Sequence, residues 1–289
     1  MTKHISCPLC NSQNLYQFWA MPGYQLCRCN SCSMVWDPLA KEVINQYSES
    51  YFTNGNLKGG YANYFEGMQV NRKTFADRLR RILKKTKNKG KLLDVGCALG
   101  DCLLEAKKLG WQQAEGLDPS DYACKTAAKR GLKVKQGTLE TLKLKANSFD
   151  IILSQDEIEH VTDPVAELRR MYDVLKPGGM LFLVTPDIQG WWSKLLGKWW
   201  YHYKPGEHVV YFSQETIKKC LKKAGFKNIE TKSTYHIMSL EYILNRLRYY
   251  FPFLFTLLLK IVSNISIKNI PFKVYAGELE AWAEKPKSP

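Results

Sequence analysis

The chain is short of acids, short of histidines, and has no apolar run long enough to cross a bilayer. Only 27 Asp and Glu stand against 42 Lys and Arg in 289 residues, leaving a net charge of +15. That balance excludes an acidic, self-repelling chain and raises nucleic acid, phospholipid or a phosphorylated substrate as partners. Lysines such as Lys84, Lys85, Lys87, Lys89 and Lys91 are spread without a repeat, as on an ordinary solvated surface. The longest greasy stretch, Tyr249–Leu259, is too short to span a membrane and is followed by Lys260. No secretory pattern opens the chain, since Met1–Cys10 is polar and already holds two cysteines. The expectation is a cytoplasmic protein that makes at most a peripheral contact with the membrane. An apolar content of 45% is ample for a core.

Nine cysteines without export features read as reduced thiols, for which metal binding is the simpler use. Cys7-Pro-Leu-Cys10 and Cys29-Asn-Ser-Cys32 are two C-x-x-C knuckles, the spacing at which two turns offer four thiolates to one tetrahedral ion. Cys7, Cys10, Cys29 and Cys32 are therefore the expected ligands of a structural Zn2+, closing a ribbon over residues 1–40. Redox pairs and a substitution of Cys27 for Cys29 are the competing readings. A segment this small cannot fold on buried area alone, so a metal staple has a physical reason. Four protein ligands leave no open position for catalysis. Cys97, Cys102, Cys124 and Cys220 read as small buried side chains.

Residues 41–88 read as a linker ending in a helix from Tyr64 to Leu83, with a break at Gly59-Gly60. In Lys91-Leu-Leu-Asp-Val-Gly-Cys-Ala-Leu-Gly100 an apolar run ends in an acid and breaks into a glycine loop that opens a helix. Gly116-Leu-Asp-Pro-Ser120 is a second short strand ending in an acid. A strand, a tight turn, a helix amino terminus and a second-strand acid together signal a nucleoside cofactor. Strands at Leu92–Val95, Ala114–Leu117, Leu132–Gln136, Ser148–Leu153 and Met180–Val184 alternate with helices at Cys102–Leu109, Asp121–Arg130 and Pro164–Leu175. Lys176-Pro-Gly-Gly179 is expected to stop the last of these helices. Such alternation builds a parallel sheet covered on both faces. A helix over Thr216–Ala224, capped by Ser213 or Gln214, leads to a strand at Phe226–Tyr235. An apolar helical insert follows, and then an antiparallel strand at Gly277–Ala283.

Leu92–Gly100, Gly116–Ser120, Ser148–Ile152, Glu159–Pro164 and Leu175–Gly179, in that order, resemble class I S-adenosylmethionine-dependent methyltransferases. The resemblance implies an α/β Rossmann-like sheet, parallel with one antiparallel strand, over residues 89–289. A lid insert at 187–212 and the apolar helical insert at 238–265 interrupt it. It implies cofactor contacts from Asp94, Gly96, Cys97, Ala98 and Gly100 in the first loop, with Asp118 on the ribose and Pro119 beside it. Thr138 and Leu139 would lie by the adenine, and Ser154 and Gln155 at the fourth strand's end. A dehydrogenase loop would read G-x-G-x-x-G, whereas this one reads G-x-x-x-G.

Two segments compete for the acceptor. Asp156, Glu159 and His160 resemble the metal-binding acid-x-x-Glu-His of ubiquinone-pathway O-methyltransferases, with Asp156 where glutamate is usual. The same Glu-His-Val also occurs as plain structure in relatives that hold no metal. Glu207-His208-Val-Val-Tyr-Phe-Ser213 resembles the segment of sugar C-methyltransferases that carries a glutamate–histidine pair, and those enzymes also begin with a four-cysteine zinc domain. That resemblance implies His208 as general base, Glu207 as its orienting partner and Tyr203 close by. The alternative is that His208 only fixes the loop. Gly190–Tyr203 carries four tryptophans, read as a lid, an interfacial surface or core packing. Nucleic acid is not expected as a partner, because Ser154-Gln-Asp-Glu157 is neither an Asn/Asp-Pro-Pro-aromatic turn nor a Pro-Cys nucleophile. The expected acceptor is a small molecule: a sugar, glycan or lipid-linked intermediate of surface-polysaccharide synthesis. A quinone or aromatic O-methyl acceptor, or a non-catalytic cofactor-binding module, are the alternatives.

Overall fold

The computed structural model describes residues 5–21, 24–40, 48–53, 64–248, 252–263 and 270–287. The expected break at Gly59-Gly60 and the start of the apolar stretch at 249–251 lie outside them. Strands β1 (Leu15–Met21), β2 (Tyr24–Cys29) and β3 (Val35–Trp36) form an antiparallel ribbon carrying the cysteine knuckles. Helices α1 (Glu49–Thr53) and α2 (Tyr64–Thr86) follow.

The body then alternates as expected. It runs β4 (Leu92–Val95), α3 (Asp101–Lys108), β5 (Ala114–Asp118), α4 (Asp121–Lys129), β6 (Lys133–Gln136), β7 (Phe149–Gln155), α5 (Pro164–Val174) and β8 (Leu175–Pro186). The lid segment holds α6 (Trp191–Leu196) and the two-residue β9 (Val210–Tyr211). The chain continues through α7 (Gln214–Ala224), β10 (Lys227–Ser239), α8 (Leu240–Leu247), α9 (Pro252–Ser263) and β11 (Pro271–Glu284).

The seven-stranded sheet runs β10-β11-β8-β7-β4-β5-β6. Pairs β4–β5, β5–β6, β4–β7 and β7–β8 are parallel, and β11 runs antiparallel to both its neighbours. This is the mixed Rossmann-like sheet the sequence implies. Along β7 the buried side chains alternate between its faces. Ile152 joins Leu168, Met171, Ile217 and Leu221 under α5 and α7, while Ile151 and Leu153 join Leu79, Ile82, Leu103 and Phe182 under α2 and α3. Each such fully buried side chain contributes about 1.5–3 kcal/mol by removal from water.

Helix ends follow the capping rules. Asp163 accepts the amide N–H of Ala166 at the start of α5, where Pro164 stands first. Ser213, not Gln214, caps α7 in a reciprocal box with Thr216, and Gly225 at φ +107° closes it. Lys176–Gly179 stops α5 but is absorbed into β8 as a bulge: pairing with β7 jumps from Phe149–Leu175 to Ile151–Met180. The ribbon is not a separate lobe. β3 pairs with β9, Val35 opposite Tyr211 and Trp36 opposite Val210, so the lid supplies the ribbon's fourth strand. Leu9, Met34 and Trp36 share the large core cluster with the body.

Candidate active site

Because β4, β5, β7 and β8 are parallel, their carboxyl ends open on one edge of the sheet, the side where ligands bind in such folds. After β4 the chain turns through Gly96 (φ +71°), Ala98 (+45°) and Gly100 (+82°). A side chain at Gly100 would meet Leu132 Cδ1 at 2.4 Å, and Ala98 carries its Cβ in a conformation that favours glycine. Gly96 and Cys97 both donate to the carbonyl of Leu117, and the Ala98 N–H donates to Asp118 Oδ2 at 2.8 Å. Ser120 N–H donates to Asp118 Oδ1, and Gly137 N–H to the Asp118 carbonyl. Loop, second-strand acid and the start of the Thr138–Leu139 turn are thus one hydrogen-bonded unit.

Carboxylates crowd this edge. Burial raises the Asp118 carboxyl above its usual range, and burial with Asp118 nearby raises Asp94 to about 7. Glu157, whose side chain lies against Gly96 and accepts from Ser154 Oγ, is pushed to about 8, first by burial and then by Glu167. Among the described residues none of Asp94, Asp118 and Glu157 has a lysine or arginine within ion-pair distance. The ribose hydroxyls, ammonium and sulfonium of S-adenosylmethionine fit this donor-poor, cation-poor site. Of the other expected contacts, Gln155 accepts from Arg78 through Oε1 and donates through Nε2 to Cys102 Sγ, in the first turn of the helix that the loop opens. Thr138 is tied up in reciprocal bonds with Thr141.

Further along the same edge a short 3-10 turn, Ile158–His160, follows β7. Glu159 is buried, accepts from Thr185 Oγ1 at 2.9 Å, and its carbonyl takes the Val209 N–H. His160 Nδ1 donates to the Glu207 carbonyl at 2.8 Å, which leaves the lone pair on Nε2 of the neutral ring. The His160 and His208 rings meet edge-on at 4.9 Å, and His202 lies 6.1 Å from His208. One ligating atom each of Glu159, His160 and His208 falls within 4.8 Å of the others, and the buried Nδ1 of His208 has no partner. Burial lowers His160 and His202 to about 4 and His208 well below its usual value, and it raises Glu159. Two neutral imidazoles and a carboxylate with converging lone pairs are a donor set that fits a divalent cation.

The expected Glu207–His208 pairing takes a different form. No hydrogen bond joins the two side chains; the Glu207 carboxylate lies 3.9 Å from Lys204 Nζ, and its backbone carbonyl is what positions His160. Tyr203 belongs to an aromatic wall with Trp19, Trp200 and Tyr211, at ring distances of 4.8, 5.1 and 5.4 Å. Asp156, expected among the metal ligands, is exposed and stands outside the group formed by Glu159, His160 and His208. The bulk of protein around it and the neighbouring Glu278 raise its carboxyl.

Residues with no warning in the sequence complete this edge. Arg78 of α2 is 2% exposed, donates to Gln155 at 3.0 Å and reaches Glu278 Oε2 at 3.4 Å. His236 meets the same oxygen at 2.6 Å. Four of the chain's five histidines therefore gather at one end of the sheet.

In the ribbon, Cys7 Sγ lies 3.4 Å from Cys32 Sγ and Cys10 Sγ 3.5 Å from Cys29 Sγ, all four within 4.8 Å, with no disulfide. Tetrahedral zinc with Zn–S bonds of about 2.3 Å requires S–S separations of about 3.8 Å. The four sulfurs fit it, and Cys27 stands outside the group.

A family profile described as "Methyltransferase domain" matches residues 65–231. The ubiquinone biosynthesis O-methyltransferase of Parvibaculum lavamentivorans is 36% identical over 101 residues, 33% of this chain and 40% of that protein. The enzyme of the same name from Dinoroseobacter shibae is 34% identical over 159 residues, 49% of this chain and 62% of that one. The chain thus spans about two fifths to three fifths of the length of these curated relatives. A solved S-adenosylmethionine-dependent methyltransferase from Archaeoglobus fulgidus superposes with a TM-score of 0.53 at 18% identity, covering 77% of this chain and 99% of that one, a likeness of fold.

Proposed function

The chain belongs to the methyltransferase-domain family and is an S-adenosylmethionine-dependent enzyme of class I type, and from that premise we propose that it methylates a hydroxyl oxygen of a small aromatic acceptor. The observation that carries this reading is the convergence of Glu159, His160 and His208 on the edge where the cofactor loop opens. The named function of the matched relatives supports an aromatic acceptor. The sugar, glycan or lipid-linked acceptor expected from the sequence draws no support from them.

S-adenosylmethionine supplies a methyl on a good leaving group. The protein's work is alignment and removal of the acceptor's proton. Asp118 holds the ribose from the tip of β5. The acceptor hydroxyl lies against the unpartnered Nδ1 of His208, which takes its proton as the O–CH3 bond forms and the S–CH3 bond breaks. Glu159 stabilises the imidazolium, and Glu207 acts through its carbonyl by fixing the His160 ring. A divalent cation held by Glu159, His160 and His208 would instead lower the pKa of the same hydroxyl, and would then replace proton transfer to His208 because that lone pair cannot serve both. Zinc on the four cysteines is structural.

The test is methyl transfer from labelled S-adenosylmethionine to catechol-type phenols and to nucleotide sugars, with and without a chelator. Label on the phenol is expected; label on the sugar alone overturns the acceptor assignment. Asp118→Ala should abolish cofactor binding by calorimetry. His208→Ala should keep that binding while turnover falls on the order of 10²–10⁴-fold; turnover that survives puts the base elsewhere.

A further inference from the structure

Of the fourteen large apolar side chains exposed among the described residues, ten lie on the lid, on β10 and β11, and on α8 and α9, and an eleventh, Ile270, immediately precedes β11. Phe253 is 89% exposed and Trp199 77%. On α9 the exposed Phe253, Leu254, Leu257 and Ile261 follow helical spacing, so they form one stripe. The two parts of the surface join through rings: Trp191 stacks at 6.3 Å on Tyr275 of β11, which meets Tyr235 of β10 at the same distance. Trp192 Nε1 also donates to the Tyr275 carbonyl, pinning α6 to that strand.

The charge on α9 and its flanks has one sign, while α8 opens with Glu241 in its first turn. From residue 242 to residue 277 the sequence holds no acid but five basic residues, Arg246, Arg248, Lys260, Lys268 and Lys273. From 188 to 206 it holds three lysines and no acid. No helix among the described residues is long and apolar enough to cross a membrane, and α9 has twelve residues. An exposed apolar stripe on a short helix, flanked by cations and cleared of acids, is the make-up of an element that lies in the interface of an anionic bilayer.

We propose that the α8–α9 hairpin and the tryptophan-bearing lid form one docking face for an anionic phospholipid surface. α9 rests its stripe at the level of the headgroups, and Trp191 and Trp199 sit at the boundary where their rings are favoured. Lys194 and Lys198 on the lid meet the lipid phosphates. This face stands independently of the acceptor, because it can be read without substrate or cofactor.

The experiment is co-sedimentation of the full chain with vesicles of phosphatidylcholine alone and of phosphatidylcholine mixed with phosphatidylglycerol. Binding should appear on the mixed vesicles, weaken with salt and be slight on phosphatidylcholine. Phe253→Glu combined with Leu257→Glu should lower the partition coefficient on the order of tenfold or more. Both side chains face solvent, so the fold should melt unchanged by circular dichroism. Lys194→Glu with Lys198→Glu is the second arm, and should remove the salt-dependent part. Leu39→Glu, an exposed apolar position on the ribbon, should bind like the parent. No binding at low salt overturns the proposal. So does equal binding by the Phe253/Leu257 variant, or a dimer by light scattering that those substitutions dissolve without vesicle binding.

Discussion

Glu278 lies between the guanidinium of Arg78 and the imidazole of His236, and it is 5% exposed. Burial alone would raise its carboxyl, but His236 and then Arg78 override this and hold it down at about 2. A carboxylate whose folded pKa is depressed contributes stability that is present above its ordinary value near 4.5 and lost as the pH falls towards 2. Glu278→Gln leaves Arg78 buried and uncompensated, so it should cost about 3–5 kcal/mol in urea unfolding at pH 7. That gap should narrow as the pH drops from about 4.5 to about 2. A gap unchanged at low pH would rule out ionisation as its source. Nothing in the sequence announces this group, since Arg78 and Glu278 stand 200 residues apart. Asp118 was legible for the opposite reason. An acid at the end of a strand, one turn before a helix, is placed by local geometry alone, and its partner Ala98 sits in a loop whose glycines give it away.

Among the elements, those with several turns or strand residues were readable, since apolar periodicity places β4 to β7 and α3 to α5 to within about two residues. The cap of α7 is one sharp case. Ser213 and Thr216 satisfy each other's amides, and Ser213→Ala should lower stability by about 1 kcal/mol in thermal or urea melts without touching cofactor affinity. β9 was not readable. Two residues carry no period, and its pairing with β3 depends on chain folded elsewhere. The bulge in β8 was half readable: Pro-Gly-Gly signals that a helix ends, but not that the strand has already begun at Leu175. Glu207 and His208 were legible as a motif but their directions were not: the turn from Lys204 carries the Glu207 carboxylate towards Lys204 and its carbonyl towards His160.

For the whole molecule, the join between ribbon and body decides what metal removal should do. β9 is anchored on the ribbon by β3, by the Tyr24–Tyr211 hydroxyl pair and by Trp19 against Tyr203, and it begins two residues after His208. The cofactor loop is anchored elsewhere, on β5 and Asp118. Removing the proposed zinc ligands by Cys7→Ser with Cys32→Ser should therefore reduce turnover while calorimetric affinity for S-adenosylmethionine stays the same; loss of both together would show that the ribbon supports the whole sheet.

The same join has a consequence in time. Tyr24 and Tyr211 are 187 residues apart, so the ribbon leaves the ribosome long before its fourth strand exists. During that interval β3 offers an unpaired edge, and the proposed metal on the four cysteines would be what gives the segment a shape of its own. The ribbon is thus made well before its sheet can be completed. Closure of its sheet reports that synthesis has passed the lid, and a contact spanning that much chain makes it a slow step in folding.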